Sequence, residues 1–420
     1  MSDLDALAAL LAEREPTVRA LLPEEGRLER LRREMAALEA RYPDPAARPP
    51  LFGVLVGVKD IFHVDGFPTR AGSHLPPEVL AGPQGPSVTA LQAAGALVLG
   101  KTVSTEFAYF APGPTRNPRD PERTPGGSSS GSAAAVAAGY CPLALGTQTI
   151  GSIIRPAAYC GVVGFKPSYD RVSRDGVIPL APSLDHVGLL AASVSWAERA
   201  AAVLCRYWQP PGRGLHARNP KKPGRPVLGI PEGPYLDRAT NDFRGVAERL
   251  AAAGYEVRSV SAMPDFAEIE MRHHRLVGAE AAGVHADWLS RFRELYAPET
   301  LALLLVGRSI SEKEQAEDFQ GRERLRAELT ALMDRHGLDL WVTPAAPGPA
   351  PRGLRSTGSP VMNLPWTHAG LPALSLPAGG LSADNDAGGL PLGLQVIGRW
   401  HADESLLAWG REMEEVVKGS

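Results

Sequence analysis

Charge thins out between Leu51 and about Val194, and this stretch constrains the fold more than any other feature of the chain. Short aliphatic runs such as LFGVLVGV and ALVLG read as buried strands. SVTALQAAG and SAAAVAAG read as short helices between them. Alternation of this kind predicts an α/β fold built on a mixed or parallel sheet. The texture returns later in the chain. PVLGIP and YEVRSV read as strands around the helix NDFRGVAERLAAAG, and LDLWVTPAAP, ALSLPAG and LGLQVIG as apolar strands near the end.

Other segments frame this core. Residues 1–45 read as a charged helical segment that ends at PDPAARPP. The Pro/Gly-rich, basic stretch RYWQPPGRGLHARNPKKPGRP reads as a surface crossover loop. Residues 265–335 are strongly helical and charged, and read as an insertion or flap on a continuous core. The expected organisation is therefore an N-terminal helical segment, 1–45, and one domain, 46–420. Within that domain the core spans about 50–195, the variable helical region about 265–335, and the C-terminal core part about 336–420.

With 420 residues, 44% of them hydrophobic, the chain is long enough to bury a substantial core. A net charge of −3 gives no reason to expect a nucleic-acid partner or an anionic membrane. The three cysteines, Cys141, Cys160 and Cys205, form no CxxC pair, which suits a reducing compartment and argues against structural zinc. The N-terminal stretch MSDLDALAALLAEREPTVRA carries acids where a signal peptide would need a basic region. No apolar run reaches the roughly 18 to 20 residues of a membrane span. A cytoplasmic, soluble protein is expected, as monomer or homodimer. Of the 44 basic residues only seven are lysines, so a lysine base would come from a short list.

Three short motifs compete for chemical meaning. GALVLGKT, Gly95–Thr102, spells a phosphate-binding loop, but its middle, ALVL, is itself strand-like, and a buried strand cannot also wrap a phosphate. Gly127-Ser128-Ser129-Ser130-Gly131 spells a hydrolase nucleophile elbow. The strand an elbow needs is missing, because PTRNPRDPERTP carries four prolines in twelve residues. A flexible Gly/Ser linker fails as well, since GGSSSGSAAAVAAG runs straight into an apolar helix. His273, His274 and His285 lie in the charged helical region and read as surface or packing residues; His274 and His285 are too far apart along a helix to share a metal. A further serine, in GTQTIGSIIRPA, follows a short apolar run, where small residues present successive N–H groups to an anion.

These segments together resemble the amidase signature family. GVLVGVKDIFHVDGFPTRAGS is similar to the family's lysine motif, and GPTRNPRDPERTPGGSSSGSAAAVAAG to its glycine-serine motif. LALGTQTIGSIIRPAAYCGVVGFKPS is similar to its nucleophile motif. VTPAAPGPAP, VMNLPWTHAGLPALSLPAG and GLPLGLQVIGR resemble its C-terminal part. The resemblance implies the family fold, one large twisted mixed β-sheet covered by helices on both faces. It also implies a Ser–cis-Ser–Lys triad with Ser152 as nucleophile, Ser128 as bridging serine after a cis Gly127–Ser128 peptide, and Lys59 as base. Backbone N–H groups of Thr149, Ile150, Gly151 and Ser152 would hold the oxyanion. Gly127, Ser129, Gln148 and Arg155 would support the loops, with Ser130 bonding within its own. No metal and no cofactor is implied.

The chemistry has its own logic. A serine hydroxyl is a weak nucleophile and needs a base within hydrogen-bond reach. A free lysine, with a pKa of about 10.4, is neutral in only about one molecule in two thousand at pH 7, so a lysine base must be desolvated. Lys59 follows the aliphatic run VLVGV, which suits burial. The chain departs from the commoner family pattern at three places: Gln148 where an acid usually stands, Ile150-Gly151 where two glycines precede the nucleophile, and Ile154 where an arginine falls, with Arg155 next. Tyr109 and Phe110 are candidates for the pocket wall, with core packing as the alternative. The resemblance implies an amidase acting on a small or aryl amide, or a carbamate. The alternatives are the glutaminase subunit of a tRNA-dependent amidotransferase and an inactive binding relative.

Overall fold

The computed structural model describes residues 4–209, 225–240, 243–380 and 389–418. Ten strands form one mixed sheet: β1 (Leu55–Lys59), β2 (Leu97–Thr102), β3 (Leu143–Gln148), β4 (Val163–Lys166), β5 (His186–Ala191), β6 (Leu228–Glu232), β7 (Val257–Ser261), β8 (Leu340–Pro344), β9 (Ala373–Gly380) and β10 (Pro391–Ile397). Their order across the sheet is β2-β1-β3-β5-β4-β9-β10-β8-β6-β7. The two flanks are parallel, β2-β1-β3 on one side and β8-β6-β7 on the other. The strands between them pair antiparallel. β1, β2, β3, β5 and β8 are buried along their whole length, which is why their sequences are continuous aliphatic runs and not alternating ones.

Helices pack on the sheet in two mutually contacting sets. Pro86–Ala93, Val194–Leu204, Phe243–Ala252 and Asp403–Lys418 form one; Ser130–Ala137 and Ile154–Cys160 form the other. The helix Ser130–Ala137, SGSAAAVA, touches β1, β2, β3 and β5. Its small side chains let it lie close to the sheet. Gly131 shows how close: its N–H donates to the Val103 carbonyl at 2.9 Å, and a Cβ there would strike the backbone of Ala20 and Val103. The alanine run after the serines is thus a packing requirement of the sheet's centre.

The N-terminal segment forms two helices, Leu4–Val18 and Arg27–Arg41. The chain between them lies along the free side of β2, where Leu22 N–H donates to Lys101 O at 2.8 Å and Val103 N–H to Ala20 O at 2.9 Å. That covers a sheet edge that would otherwise be open. GALVLGKT runs into β2 as a buried strand; Lys101 pairs with Asp60 at 2.8 Å. The region 265–335 folds as the helices Phe266–Val284, Ala286–Phe292, Pro298–Gly307 and Glu312–Arg335. It docks on the loop after β2. The Glu106 carboxylate accepts from Ala297 N–H at 3.0 Å, and the Phe107 ring packs on His285 and Tyr296. Most of the expected crossover loop, residues 210–224, lies outside the described residues. No helix among the described residues is long and apolar enough to cross a membrane.

Candidate active site

The parallel register of β1 against β3 brings Lys59, the last residue of β1, level with the end of β3. Lys59 is fully buried there. Its Nζ lies 2.7 Å from Ser128 Oγ and 2.8 Å from Thr147 Oγ1. Burial pushes the ammonium well below its ordinary value, while the Asp185 carboxylate pulls the other way. The lysine is therefore biased toward the neutral amine, the form that can take a proton.

Ser128 sits on the loop that leads into the helix Ser130–Ala137, and the Gly127–Ser128 peptide is cis. Several side chains hold this loop. Arg155 Nη2 donates to Gly127 O at 2.6 Å and to Thr357 Oγ1 at 3.1 Å, and Arg155 Nη1 donates to Gly358 O. The guanidinium is almost fully buried, and burial lowers its pKa to about 10. Ser129 works as a clamp on both sides. Its hydroxyl bridges the carbonyl and N–H of Thr147, at 3.2 and 3.3 Å, and its own N–H donates to Ser152 O at 3.3 Å. Ser130 Oγ donates to Val103 O at 3.3 Å.

The segment Thr149–Ser152 leaves β3 and turns into the helix Ile154–Cys160. Gln148 anchors it from below. Its Oε1 accepts from the N–H groups of Ile153 and Ile154, at 2.9 and 3.0 Å, and its Nε2 donates to Thr367 Oγ1 at 2.9 Å. Thr367 in turn donates to Ile150 O at 2.7 Å. Thr149 Oγ1 donates to Asp185 Oδ1 at 2.5 Å, and Asp185 Oδ2 accepts from Leu180 and Ala181 N–H. Gly151 has no room for a side chain, because a Cβ would meet Asn363 Oδ1 and Pro360. Among the described residues, the N–H groups of Ile150, Gly151 and Ser152 donate to no protein acceptor, although all three residues are buried. Three successive unpaired amides form a ready anion cradle.

The structure thus brings Lys59, Ser128, Ser129, Thr147 and the Ser152 backbone into one cluster. It does not join every pair by a hydrogen bond: Ser152 Oγ has no partner among the described residues, and Ser128 Oγ bonds only to Lys59. Such contacts commonly tighten only when substrate binds. A cavity of about 330 Å³ touches this cluster at Thr147 alone, with Asp185, Ile61 and Ala108 also in its wall; Lys59, Ser128 and Ser152 do not line it. Neither Tyr109 nor Phe110 is in that wall; their half-buried rings lean on each other, 4.5 Å apart, beside Ala108.

Several contributing residues escaped sequence reasoning. Thr147 is on β3, two positions before Thr149, the first residue past the strand, and alternation continued by one residue points both to one side, which was a readable signal. Asp185 was readable only through the β3–β5 pairing, in which Gln148 faces His186. Thr357, Asn363 and Thr367 are more than 200 positions beyond the nucleophile loop, and no local pattern connects them to it.

A family model described as Amidase matches residues 26–407. A Thermus thermophilus protein, named as one of the subunits of Glutamyl-tRNA(Gln) amidotransferase, is 36% identical over 430 residues, covering 90% of this chain and 87% of its own. The protein of the same name from Synechococcus sp. strain WH7803 is 32% identical, with 96% and 91% covered. Among solved structures, one described as an amidase superposes with a TM-score of 0.85 at 35% identity, covering 99% of this chain and 95% of its own. The native peptide amidase from Stenotrophomonas maltophilia superposes with a TM-score of 0.78 at 25% identity, with 99% and 93% covered.

Proposed function

This chain belongs to the amidase family, whose enzymes hydrolyse carbon–nitrogen bonds, and from that premise we propose that Ser152 is the nucleophile of a serine amidohydrolase. The observation that carries the reading is the buried Lys59 Nζ, 2.7 Å from Ser128 Oγ. Neutral Lys59 accepts a proton from Ser128, and Ser128 takes the proton of Ser152 as its oxygen attacks the substrate carbonyl. Charge builds on the carbonyl oxygen and is met by the unpaired N–H groups of Ile150, Gly151 and Ser152, with Thr149 beside them. Losing one such donor typically costs about 2.7 to 4 kcal/mol in the transition state. The proton then returns through Ser128 to the leaving amine. Water cleaves the acyl-enzyme by the same route in reverse.

The substrate in this reading is a small or aryl amide, or a carbamate, cleaved by the protein acting alone. The apolar side chains Ile61, Ala108, Ile178 and Leu180 in the cavity beside Thr147 support it. A second reading has a specific observation in its favour. The curated relatives carry the name of an amidotransferase subunit, so the same serine would release ammonia from glutamine within a complex. A panel of aliphatic amides, aryl amides, carbamates and glutamine separates the two, with Ser152→Ala as control. Hydrolysis of amides by the isolated chain supports the first. Activity on glutamine alone, and only with partner subunits, supports the second. Full activity in Ser152→Ala refutes both.

A further inference from the structure

The cavity that touches Thr147 has the apolar side chains Ile61, Ala108, Ile178 and Leu180 in its wall, and the charged side chains Asp170, Arg174, Asp175 and Arg206 on its more exposed side. Three buried polar side chains interrupt the apolar part: Thr147, Asp185 and His186. Two of them are already engaged. The Thr147 hydroxyl accepts from Lys59. Asp185 has both oxygens occupied, by the Thr149 hydroxyl and by the Leu180 and Ala181 amides. His186 is different. Its Nδ1 lies 2.6 Å from the Leu184 carbonyl, so Nδ1 must carry the ring proton. Nε2 is then a bare lone pair. It is buried and has no hydrogen-bond partner among the described residues. The other buried, unbonded polar atom of the wall, Arg174 Nη1, lies 3.5 Å from the Asp170 carboxylate. Burial and the nearby Lys166 hold the His186 imidazole well below its ordinary value, which keeps it neutral.

His186 faces Gln148 in the β3–β5 register, so it stands one strand away from the nucleophile strand. We propose that this cavity is a specificity subsite in which His186 Nε2 accepts a hydrogen bond from a hydroxyl or N–H group on the body of an aryl amide substrate. The inference rests on the amide-hydrolysis reading above and adds the chemistry that selects the substrate. An aryl body covers the apolar side chains, and its donor satisfies the buried acceptor that this wall leaves open among the described residues. A methyl or ether in the same place leaves Nε2 without a donor, and a carboxylate brings a second set of lone pairs against it.

The test compares kcat/KM of the full-length protein on benzamides carrying a para-hydroxyl, para-methoxy or para-methyl group. The hydroxyl compound should be favoured over the methyl compound by about tenfold, the worth of one neutral hydrogen bond. His186→Phe should bring that ratio to about one, and His186→Gln, which keeps an acceptor, should retain part of it. A ratio unchanged in His186→Phe overturns the subsite; if that variant does not fold, an unchanged ratio in His186→Ala does so. If wild-type protein cleaves none of the three, the amide reading is decided by the wider panel above, and binding decides the subsite. Para-hydroxybenzamide should then shift the His186 Nε2 resonance in the side-chain nitrogen spectrum while the methyl compound does not. No shift overturns the proposal.

Discussion

Asp185→Asn should move the acidic limb of activity to lower pH. The Asp185 carboxylate is the charge that works against the desolvation of Lys59. It is held by Thr149, just past the end of β3 and two residues after Thr147, which holds Lys59. The carboxylate and the amine are thus bound by two threonines only two residues apart. Two unit charges within about 10 Å of each other, at an effective dielectric constant of about 20, interact by on the order of 1 to 2 kcal/mol, enough for a visible displacement of the limb. The sign follows from the charge. The anion favours the ammonium and raises the Lys59 pKa; the neutral amide removes that pull and lowers it. The base is then available at lower pH. Asp185 itself is raised to about 6 by burial, so the two groups titrate as a pair and the effect is expressed above that value. Asparagine keeps the shape, with its oxygen on the Leu180 and Ala181 amides and its nitrogen toward Thr149. The assay is kcat/KM against pH for wild type and variant on one amide. A limb that stays in place, or moves to higher pH, refutes the assignment of that limb to Lys59.

Two further substitutions test the loops that aim the reacting groups. Gly151→Ala places a methyl against Asn363 Oδ1 and Pro360, so the amide cradle must shift; kcat should fall at least a hundredfold while circular dichroism stays that of the wild type. Ser129→Ala removes the clamp on both backbone groups of Thr147 and leaves them underbonded in the interior. The expected cost is about 1 to 3 kcal/mol, read as a midpoint lowered by about 1 to 3 °C in thermal unfolding, with kcat/KM down about tenfold.

Much of this arrangement was legible in the sequence, for physical reasons that differ along the chain. Buried strands announce themselves as aliphatic runs, so β1, β2 and β6 to β10 were readable, and so was the helix Ser130–Ala137. β4 and β5 were harder, because VGFK and HVGLLA are short and lack turn signals of the β-hairpin kind. GALVLGKT reads as a strand and not as a phosphate loop because a strand cannot curl round an anion, and Leu97–Thr102 is buried in the sheet. His273 illustrates the opposite limit: its sequence surroundings are charged, but the helix turns that residue fully inward. Gln148 looked like a departure that could weaken the nucleophile loop. Its neutral amide instead supplies one acceptor for two N–H groups and one donor for Thr367, and adds no charge beside Lys59. Arg155, one position later than the common pattern, still reaches the Gly127 carbonyl. What no local pattern carried was the support from Thr357, Asn363 and Thr367, which only the closed sheet brings to the site.

Which serine becomes acylated decides the mechanism. Acid quench of the protein during turnover of an amide, followed by peptide mass mapping, answers that directly. The acyl mass should appear on the peptide containing Ser152, and disappear in Ser152→Ala. An acyl group on Ser128, Ser129 or Ser130, or an adduct that survives in Ser152→Ala, would contradict it.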